Sequence, residues 1–333
     1  MQFISLTLPT RDIREPQALE RLLSMAELAD AESAWDGVWI GDSLLALPMF
    51  ESMTLLAACA ARTTRVRLGI SCQATIGLRE PLLLAAQWAA VDVISAGRVT
   101  LVACPGWGSG EAVERELRAL DIDHSEKVRR MERNVALLRC ASGEGAFELG
   151  GELVELPTPF VQRPLPIWMA ANPSEAASAA TVDRLLDRVA RIGDGWMTYA
   201  LGPAVLARRV ERLGELRAER GAESGGAFPV CVGVNVNVNL DEREARRDAR
   251  AAWARYGTRN MTSFEHVSAI GRPEQALERI AELLEAGATS IALYLLSERP
   301  REQAETLTEH LLPLLVRWRP AAPAPRSCEE ARA

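Results

Sequence analysis

The chain alternates short apolar runs with longer amphipathic segments, and this alternation restricts its possible folds more than any other feature of the sequence. Repeated strand–helix units favour parallel strands that are covered by helices. Eight runs have the length and residue types of strands, namely Phe3–Leu8, Gly37–Ile40, Val66–Ile70, Val99–Ala103, Leu165–Ala170, Trp196–Thr198, Pro229–Leu240 and Ser290–Leu295. Eight such units can close into a TIM (β/α)8 barrel. We therefore predict an α/β fold with a TIM barrel, and an open doubly wound sheet is the alternative.

The domain organisation follows from length and composition. The 333 residues would be enough for two domains of ~100–200 residues each, but no linker-like composition divides the middle of the chain. We therefore predict one barrel domain over residues 1–318. Phe147–Val154 alternates around Gly150 and Gly151, which predicts a β-hairpin inserted into the barrel. The Pro- and Ala-rich residues 319–333 are predicted to form a disordered tail.

Charge and cysteine pattern exclude several classes of protein. The net charge of -7 argues against a nucleic-acid partner, which requires a basic face. No apolar run reaches the ~18 residues of a membrane span, and the N-terminus lacks the pattern of a signal peptide. No two of the six cysteines form a C-x-x-C motif. We predict a cytoplasmic protein with no membrane partner and with mostly reduced cysteines.

Several familiar chemistries have little support in the sequence. Of the 38 lysine and arginine residues only Lys127 is lysine, and it lies in the charged run Ser125–Arg130. The turn Gly106–Gly110 has the start of a dinucleotide-binding fingerprint, but Glu111 stands where its third glycine is required. The histidines are far apart in sequence and no H-E-x-x-H motif occurs, so we predict no metal site.

The run Pro229–Leu240 alternates valine with residues that are mostly polar. The second set consists of Cys231, Gly233, Asn235, Asn237 and Asn239. In a barrel the valines would pack under the helices and the asparagines would point inward, toward the end where ligands bind. An exposed polar face on an edge strand is the alternative interpretation.

Seven segments, in their order and spacing, carry a resemblance to a known family. They are Ala34–Leu44, Ala57–Gly69, Pro81–Thr100, Gln162–Trp168, Gly193–Trp196, Gly271–Glu274 and Glu285–Ala288. Together they resemble the bacterial luciferase-like flavin oxidoreductases over residues 3 to 318. The resemblance implies a TIM barrel with an insertion and a flavin bound across the carboxyl ends of the strands. Members of that family use reduced FMN with oxygen, or the deazaflavin F420 for hydride transfer.

The resemblance also implies positions for the cofactor. The isoalloxazine ring is expected near Leu8, Asp42, Ser71 and Ala103. The phosphate is expected near Cys104, Gly106, Ala171, Asn172 and Asp194. The helical pattern Ser174–Ala190, directly after Asn172, would offer free backbone N–H groups to the phosphate, with arginine supplying charge. Because Asp194 is acidic, its expected role there is to hold backbone N–H groups or an arginine in place.

Three residues are catalytic candidates by the same resemblance. Asp42 and Ser43 stand at the end of the second strand, where luciferase has a histidine and many F420 enzymes have Asp-His, so a histidine base is excluded at that place. Asp42 would accept a hydrogen bond from flavin or substrate, or else cap a turn. Cys104 stands where luciferase has a reactive cysteine beside the flavin, and a small buried apolar residue is the alternative. Pro105 replaces an arginine of luciferase.

Three functions remain open at this point. The first is a monooxygenase that uses reduced FMN, supplied by a separate flavin reductase, and O2 to oxidise a small organic substrate. The second is an F420-dependent reductase or dehydrogenase, and the third is a flavin-binding barrel without catalysis. The resemblance further implies a homodimer formed by outer helices, for which Glu51–Arg62 and Pro81–Ile94 offer Ala- and Leu-rich faces. Packing of these faces on the barrel is the alternative.

Overall fold

Eight parallel strands close into a barrel in a computed structural model that describes residues 3–11, 13–106, 110–221, 228–256 and 265–318. The described strands are β1 (Phe3–Thr7), β2 (Gly37–Ile40), β3 (Arg67–Gln73), β4 (Val99–Ala103), β5 (Ala146–Leu149), β6 (Glu152–Glu155), β7 (Ile167–Ala170), β8 (Trp196–Tyr199), β9 (Val230–Val238), β10 (Ala269–Gly271) and β11 (Ser290–Leu295). The barrel order is β1-β2-β3-β4-β7-β8-β9-β11, and it closes where β11 pairs with β1. The predicted TIM barrel is therefore confirmed, and the open sheet is excluded.

Helices cover the outside of the barrel. They are α1 (Ala18–Ala31), α2 (Ser52–Arg62), α3 (Pro81–Ile94), α4 (Glu111–Ala119), α5 (Lys127–Gly143), α6 (Ala179–Ile192), α7 (Pro203–Ala218), α8 (Glu242–Tyr256), α9 (Pro273–Glu285), α10 (Pro300–Thr306) and α11 (Leu312–Arg317). Pro81, Pro203 and Pro273 each stand in a first helical turn, where a missing backbone N–H costs no hydrogen bond. No helix among these is long and apolar enough to cross a bilayer.

The two faces of β9 separate the two layers of the core. The five valines from Val230 to Val238 belong to the large cluster between barrel and helices. Cys231 lies on the opposite face, in a smaller cluster inside the barrel with Trp39, Val102 and Met197. The inward-facing interpretation is therefore confirmed for Cys231, whereas Asn237 donates to Asp248 of α8 and Asn239 lies beyond the end of the strand. The edge-strand alternative is wrong, because β9 pairs with a strand on each side.

Of the other sequence predictions, some are confirmed by the structure and others are wrong. The antiparallel pair β5–β6 is the predicted hairpin. The short β10, which pairs with the end of β9, was not predicted. The helix predicted from Ser174 begins at Ala179 instead, with Ser178 capping it. Residues 107–109 of the glycine-rich turn and the predicted tail 319–333 lie outside the described residues, so the proposed domain limits stay a prediction.

Close packing inside the barrel leads to a first prediction, on Gly69 of β3. A Cβ atom at this position would lie 2.2 Å from Trp39 Cζ3 and 2.6 Å from the Thr100 carbonyl oxygen. Gly69→Ala is therefore expected to lower the free energy of unfolding by about 1–3 kcal/mol, as overpacking does. Chemical denaturation measures the change. Gly143→Ala in α5, where nothing lies within 4 Å of an added Cβ, is the control and is expected to be neutral or stabilising. Equal destabilisation of both variants would contradict the packing argument.

Candidate active site

A narrow cleft opens at the carboxyl ends of β2, β3 and β4. In a TIM barrel this is the end at which ligands bind. The cleft is lined by the loop after β2, the turns after β3 and β4, helix α4 and the start of α5, including Asp42, Ser43, Thr75, Gly106, Glu116 and Lys127. The order of these elements in the sheet, and not their nearness in sequence, brings the lining residues together.

The Asp42 carboxylate connects the start of α2 to the turn after β3. Its side chain is 1% exposed. One carboxylate oxygen accepts a hydrogen bond from the Ser52 hydroxyl at 2.6 Å, and the other accepts the Thr75 backbone N–H at 2.7 Å. Arg79 lies 3.7 Å away. These contacts favour the turn-capping role for Asp42, which positions the turn after β3.

The Ser43 hydroxyl oxygen accepts the backbone N–H of Leu47 at 2.8 Å and so stabilises the loop after β2. Glu116 of α4 is buried as well, and its carboxylate accepts the N–H of Leu45 at 2.6 Å. Both residues thus shape the loop after β2. A direct catalytic role of Asp42 and Ser43 stays a prediction.

The single lysine of the chain lies in this cleft. Lys127 begins α5 and is only 7% exposed, and a Cβ built on Gly106 would lie 3.6 Å from its Nζ atom. Burial lowers the pKa of Lys127 below its usual 10.5, although the charges of Glu116 and Glu114 act in the opposite direction. The structure therefore places a half-desolvated ammonium group beside the turn after β4, at the ligand-binding end of the barrel.

Cys104, predicted as a reactive thiol, forms a disulfide with Cys72. The two residues end neighbouring strands, β4 and β3, which explains why positions 32 apart in sequence meet. The Cys104 sulfur also accepts the Gly106 N–H at 3.2 Å. The expectation of a free thiol at Cys104 is therefore wrong for this structure. Among the described residues Cys59, Cys140 and Cys231 are free.

The residues expected around the flavin ring divide into two groups. The side chains of Leu8 and Ala103 belong to the cluster that packs against the helices, so only their backbone can face a ring inside the barrel mouth. Strand alternation explains this, because Thr7 and Cys104, their neighbours, occupy the inner face. Ser71 is buried and its hydroxyl donates to the Ile40 carbonyl oxygen at 3.3 Å.

Inside the barrel mouth, Asn235 meets two tyrosines, Tyr199 and Tyr294, that the sequence did not single out. The Tyr199 hydroxyl donates to Asn235 Oδ1 at 2.6 Å, and the ring of Tyr199 meets that of Tyr294 edge-on at 5.1 Å. Gly233 makes room for both rings, since a Cβ there would lie 2.7 Å from Tyr199 and 2.8 Å from Tyr294. Burial raises the pKa of Tyr294, so its hydroxyl stays protonated. The asparagine row of β9 was the only signal in the sequence.

Asn235 also carries an unused donor. The residue is 5% exposed, and within the described ranges its amide nitrogen Nδ2 has no hydrogen-bond partner. A buried amide donor without a partner costs about 1–3 kcal/mol. An acceptor oxygen of a bound ligand would remove this cost.

Two residues expected near the phosphate stand at the correct end of the barrel. Asn172 is exposed after β7, and its side-chain oxygen accepts the Thr198 hydroxyl at 3.1 Å. Ala171 is buried, and its carbonyl oxygen accepts the indole N–H of Trp196. Because α6 begins only at Ala179, its N-terminus does not directly follow Asn172, which contradicts the expected helix-terminus phosphate site.

The placement of Asp194 near the phosphate is wrong. Asp194 precedes β8 and therefore lies at the opposite end of the barrel. Its carboxylate accepts the N–H of Ile167, the first residue of β7, at 2.9 Å, and an N–H of Arg139 at 2.9 Å. It thus holds a backbone N–H and an arginine in place, but at the amino ends of the strands, opposite the ligand-binding end. Over the ranges the structure covers, no group of acidic, histidine or cysteine side chains is arranged to hold a metal ion.

The sequence matches a family described as luciferase-like monooxygenase over residues 1–290. The chain belongs to this family, whose members are flavin-dependent oxidoreductases. Some curated relatives align only in part: an uncharacterised protein of Mycobacterium tuberculosis is 28% identical over 181 residues, which span 53% of this chain and 57% of that protein.

Two further relatives align over most of their length. An FMNH2-dependent dimethylsulfone monooxygenase of Pseudomonas putida is 24% identical, over 89% of this chain and 86% of that protein. An F420-dependent glucose-6-phosphate dehydrogenase of Beutenbergia cavernae is 27% identical, over 87% of this chain and 83% of that protein. The monooxygenase RslO1 from Streptomyces bottropensis shares the fold, with a TM-score of 0.74 and 21% identity over 94% of this chain and 99% of that chain.

Proposed function

We propose that this chain is a monooxygenase that binds reduced FMN at the carboxyl end of the barrel and uses O2 to oxidise a small organic substrate. The observation that carries this proposal is the buried ammonium group of Lys127 beside Gly106, in a barrel of the luciferase-like family. A desolvated cation binds a phosphate more strongly than an exposed one, because water screens it less. The Pseudomonas putida relative supports the choice of FMN.

In this proposal the cleft and the barrel mouth would each supply residues for the cofactor. Lys127 and the backbone at Gly106 would hold the phosphate, and the unpaired Asn235 amide would donate to a carbonyl oxygen of the ring. Tyr199 and Tyr294 would form an aromatic floor. Asp42 would keep the turns after β2 and β3 in register. The flavin supplies the oxygen chemistry when it is bound, while the chain binds, orients and excludes water.

A second function is favoured by a separate observation. The Beutenbergia cavernae relative is F420-dependent and aligns over a similar share of the chain. F420 also carries phosphate, so Lys127 would serve hydride transfer to or from F420 equally well. We keep this function as the alternative, and a flavin-binding barrel without catalysis as the third.

Titration of the purified protein with reduced FMN under nitrogen, and separately with F420, tests the choice. The proposal predicts saturable binding of reduced FMN and weaker binding of F420. The reverse order of affinities would support the hydride-transfer function. Binding of reduced FMN without turnover on any substrate would favour the third function.

We further propose that the protein is a cytoplasmic homodimer that receives reduced FMN from a separate flavin reductase. Helix α3 exposes four large apolar side chains, Leu82, Leu83, Val93 and Ile94. Exposed apolar side chains at both ends of one helix support an interface on this helix.

Leu83→Arg tests the dimer. The arginine would place a charge in the apolar interface. We therefore expect the dissociation constant of the dimer to rise at least tenfold, which corresponds to a loss of about 1.4 kcal/mol in the free energy of association. Light scattering during size-exclusion chromatography measures the mass. Leu153→Arg in the hairpin strand β6, where Leu153 is also exposed, is the matched control and should leave the dimer intact. A monomeric wild-type protein would refute the proposed interface.

A further inference from the structure

We propose that Cys72 and Cys104 are a reversible oxidation site, in which a hydroperoxide converts two thiols into the disulfide that fastens β3 to β4 beside the candidate cofactor cleft. The two Cα atoms lie 5.5 Å apart, a separation that suits a disulfide. Both residues stand at the carboxyl ends of their strands. Each cysteine thus precedes by two residues a residue that lines the cleft, Ala74 or Gly106.

The other described cysteines are poorly suited to this chemistry. Burial raises the pKa of both Cys59 and Cys231 to about 12, which keeps these thiols protonated and unreactive near neutral pH. Cys140 is half-buried on α5 and free. Its thiol makes it the natural internal control.

The surroundings of Cys104 favour the opposite behaviour. The Gly106 N–H donates to its sulfur, and the Lys127 ammonium group lies against the same glycine. A backbone donor and a nearby cation both stabilise negative charge on sulfur, and the thiolate is the form that attacks a peroxide. Cys72 is only partly buried, so reductants can reach the bond from its side.

The reaction balances with hydrogen peroxide as oxidant. The Cys104 thiolate attacks one peroxide oxygen, the O–O bond breaks, and hydroxide leaves, so the sulfur becomes a sulfenic acid. The Cys72 thiol then attacks that sulfur, the S–S bond forms, and the sulfenic oxygen leaves as water. Two thiols are oxidised and one peroxide is reduced. A dithiol reductant reverses the bond.

The bond is coupled to the cleft through the turn after β3. Cys72 has a φ of 135°, in a region that is strained for a non-glycine residue. Two residues further, the Ala74 carbonyl oxygen packs against Gly106, and the Thr75 N–H binds Asp42. Reduction would let Cys72 relax and would loosen the contact of this turn with Gly106 and, through it, with Lys127. The oxidised form should therefore present a more rigid phosphate site, a consequence that rests on the proposed function.

Peptide mapping tests the oxidation site itself, with no reference to flavin. The full chain is reduced, freed of reductant, treated with hydrogen peroxide, alkylated and digested with trypsin, which releases Cys72 in peptide 68–79, Cys104 in 99–115 and Cys140 in 140–184. We expect a cross-link between 68–79 and 99–115 that dithiothreitol removes, while Cys140 in 140–184 stays alkylated. In Cys72→Ser the cross-link should vanish and a dimedone adduct should appear on Cys104. A cross-link that does not form, or that involves Cys140, would refute the site.

Affinity for FMN tests the coupling. In the wild type and in Cys140→Ser, the reduced protein should bind reduced or oxidised FMN at least about fivefold more weakly than the disulfide form. In Cys72→Ser the affinity should not respond to redox state. A cross-link without any change in affinity would overturn the coupling alone. No FMN binding in either state would overturn the coupling and the proposed function, while the peptide map would still decide the oxidation site.

Discussion

Replacing Lys127 by alanine is expected to weaken FMN binding by roughly 10- to 100-fold, the range of a lost hydrogen bond between charged groups. Lys127 is the only lysine of the chain and is buried beside Gly106 at the carboxyl end of β4. Its loss leaves the phosphate without a desolvated cation. Isothermal titration measures the dissociation constant, and thermal unfolding verifies that the variant is folded.

The Lys127→Arg variant tests whether FMN affinity depends on the charge of this side chain or only on its packing. Because burial lowers the pKa of Lys127 below 10.5, its charge is lost at a lower pH than the charge of an ordinary lysine. FMN affinity of the wild type should therefore fall as the pH rises toward 10.5. The arginine variant, which keeps its charge, should bind near neutral pH and should lack this fall. An affinity in Lys127→Ala equal to that of the wild type would remove Lys127 from the cofactor site.

Replacing Asp42 by alanine is expected to lower the free energy of unfolding by about 2–4 kcal/mol. The substitution leaves the Ser52 hydroxyl and the Thr75 N–H without their acceptor in a nearly fully buried place. Each unmade buried hydrogen bond costs about 1–3 kcal/mol. Denaturant unfolding followed by circular dichroism measures the loss.

Asp123 offers a matched control for this prediction. Its carboxylate also accepts one backbone N–H and one hydroxyl, both from Ser125, but the residue is exposed. Water replaces such bonds when they are lost, so Asp123→Ala should cost no more than about 1 kcal/mol, as for a helix cap. A cost for Asp42→Ala as small as that of the control would show that the tie between the two turns contributes little.

The barrel could be predicted because its signal is local. Each strand of the barrel appears in the sequence as its own apolar run, and the period-two pattern of Pro229–Leu240 even indicated which residues face inward. The short β10 has three residues and was missed because so short a run has no periodicity. Asp194 was misplaced because its position was taken from the resemblance alone, although a residue that precedes a strand of a parallel barrel lies at the end opposite the ligands.

The site was harder to predict because it depends on pairing between distant segments. Cys72 and Cys104 meet only because β3 pairs with β4. Asn235 meets Tyr199 only through the register of β8 against β9. Lys127 lies in a charged run with four polar neighbours, so the sequence does not indicate that this first residue of α5 faces the cleft. These relations are tertiary, and a single sequence contains no direct record of them.

The most direct test of the central claim is rapid mixing of the protein, loaded with reduced FMN under nitrogen, with oxygenated buffer. Absorbance during flavin reoxidation is compared with that of free reduced FMN at the same oxygen concentration. The proposed monooxygenase predicts reoxidation that is slower than that of the free flavin and that proceeds through a distinct absorbing species. Reoxidation at the rate of free flavin, in a protein that binds F420 tightly and FMN not at all, would contradict it.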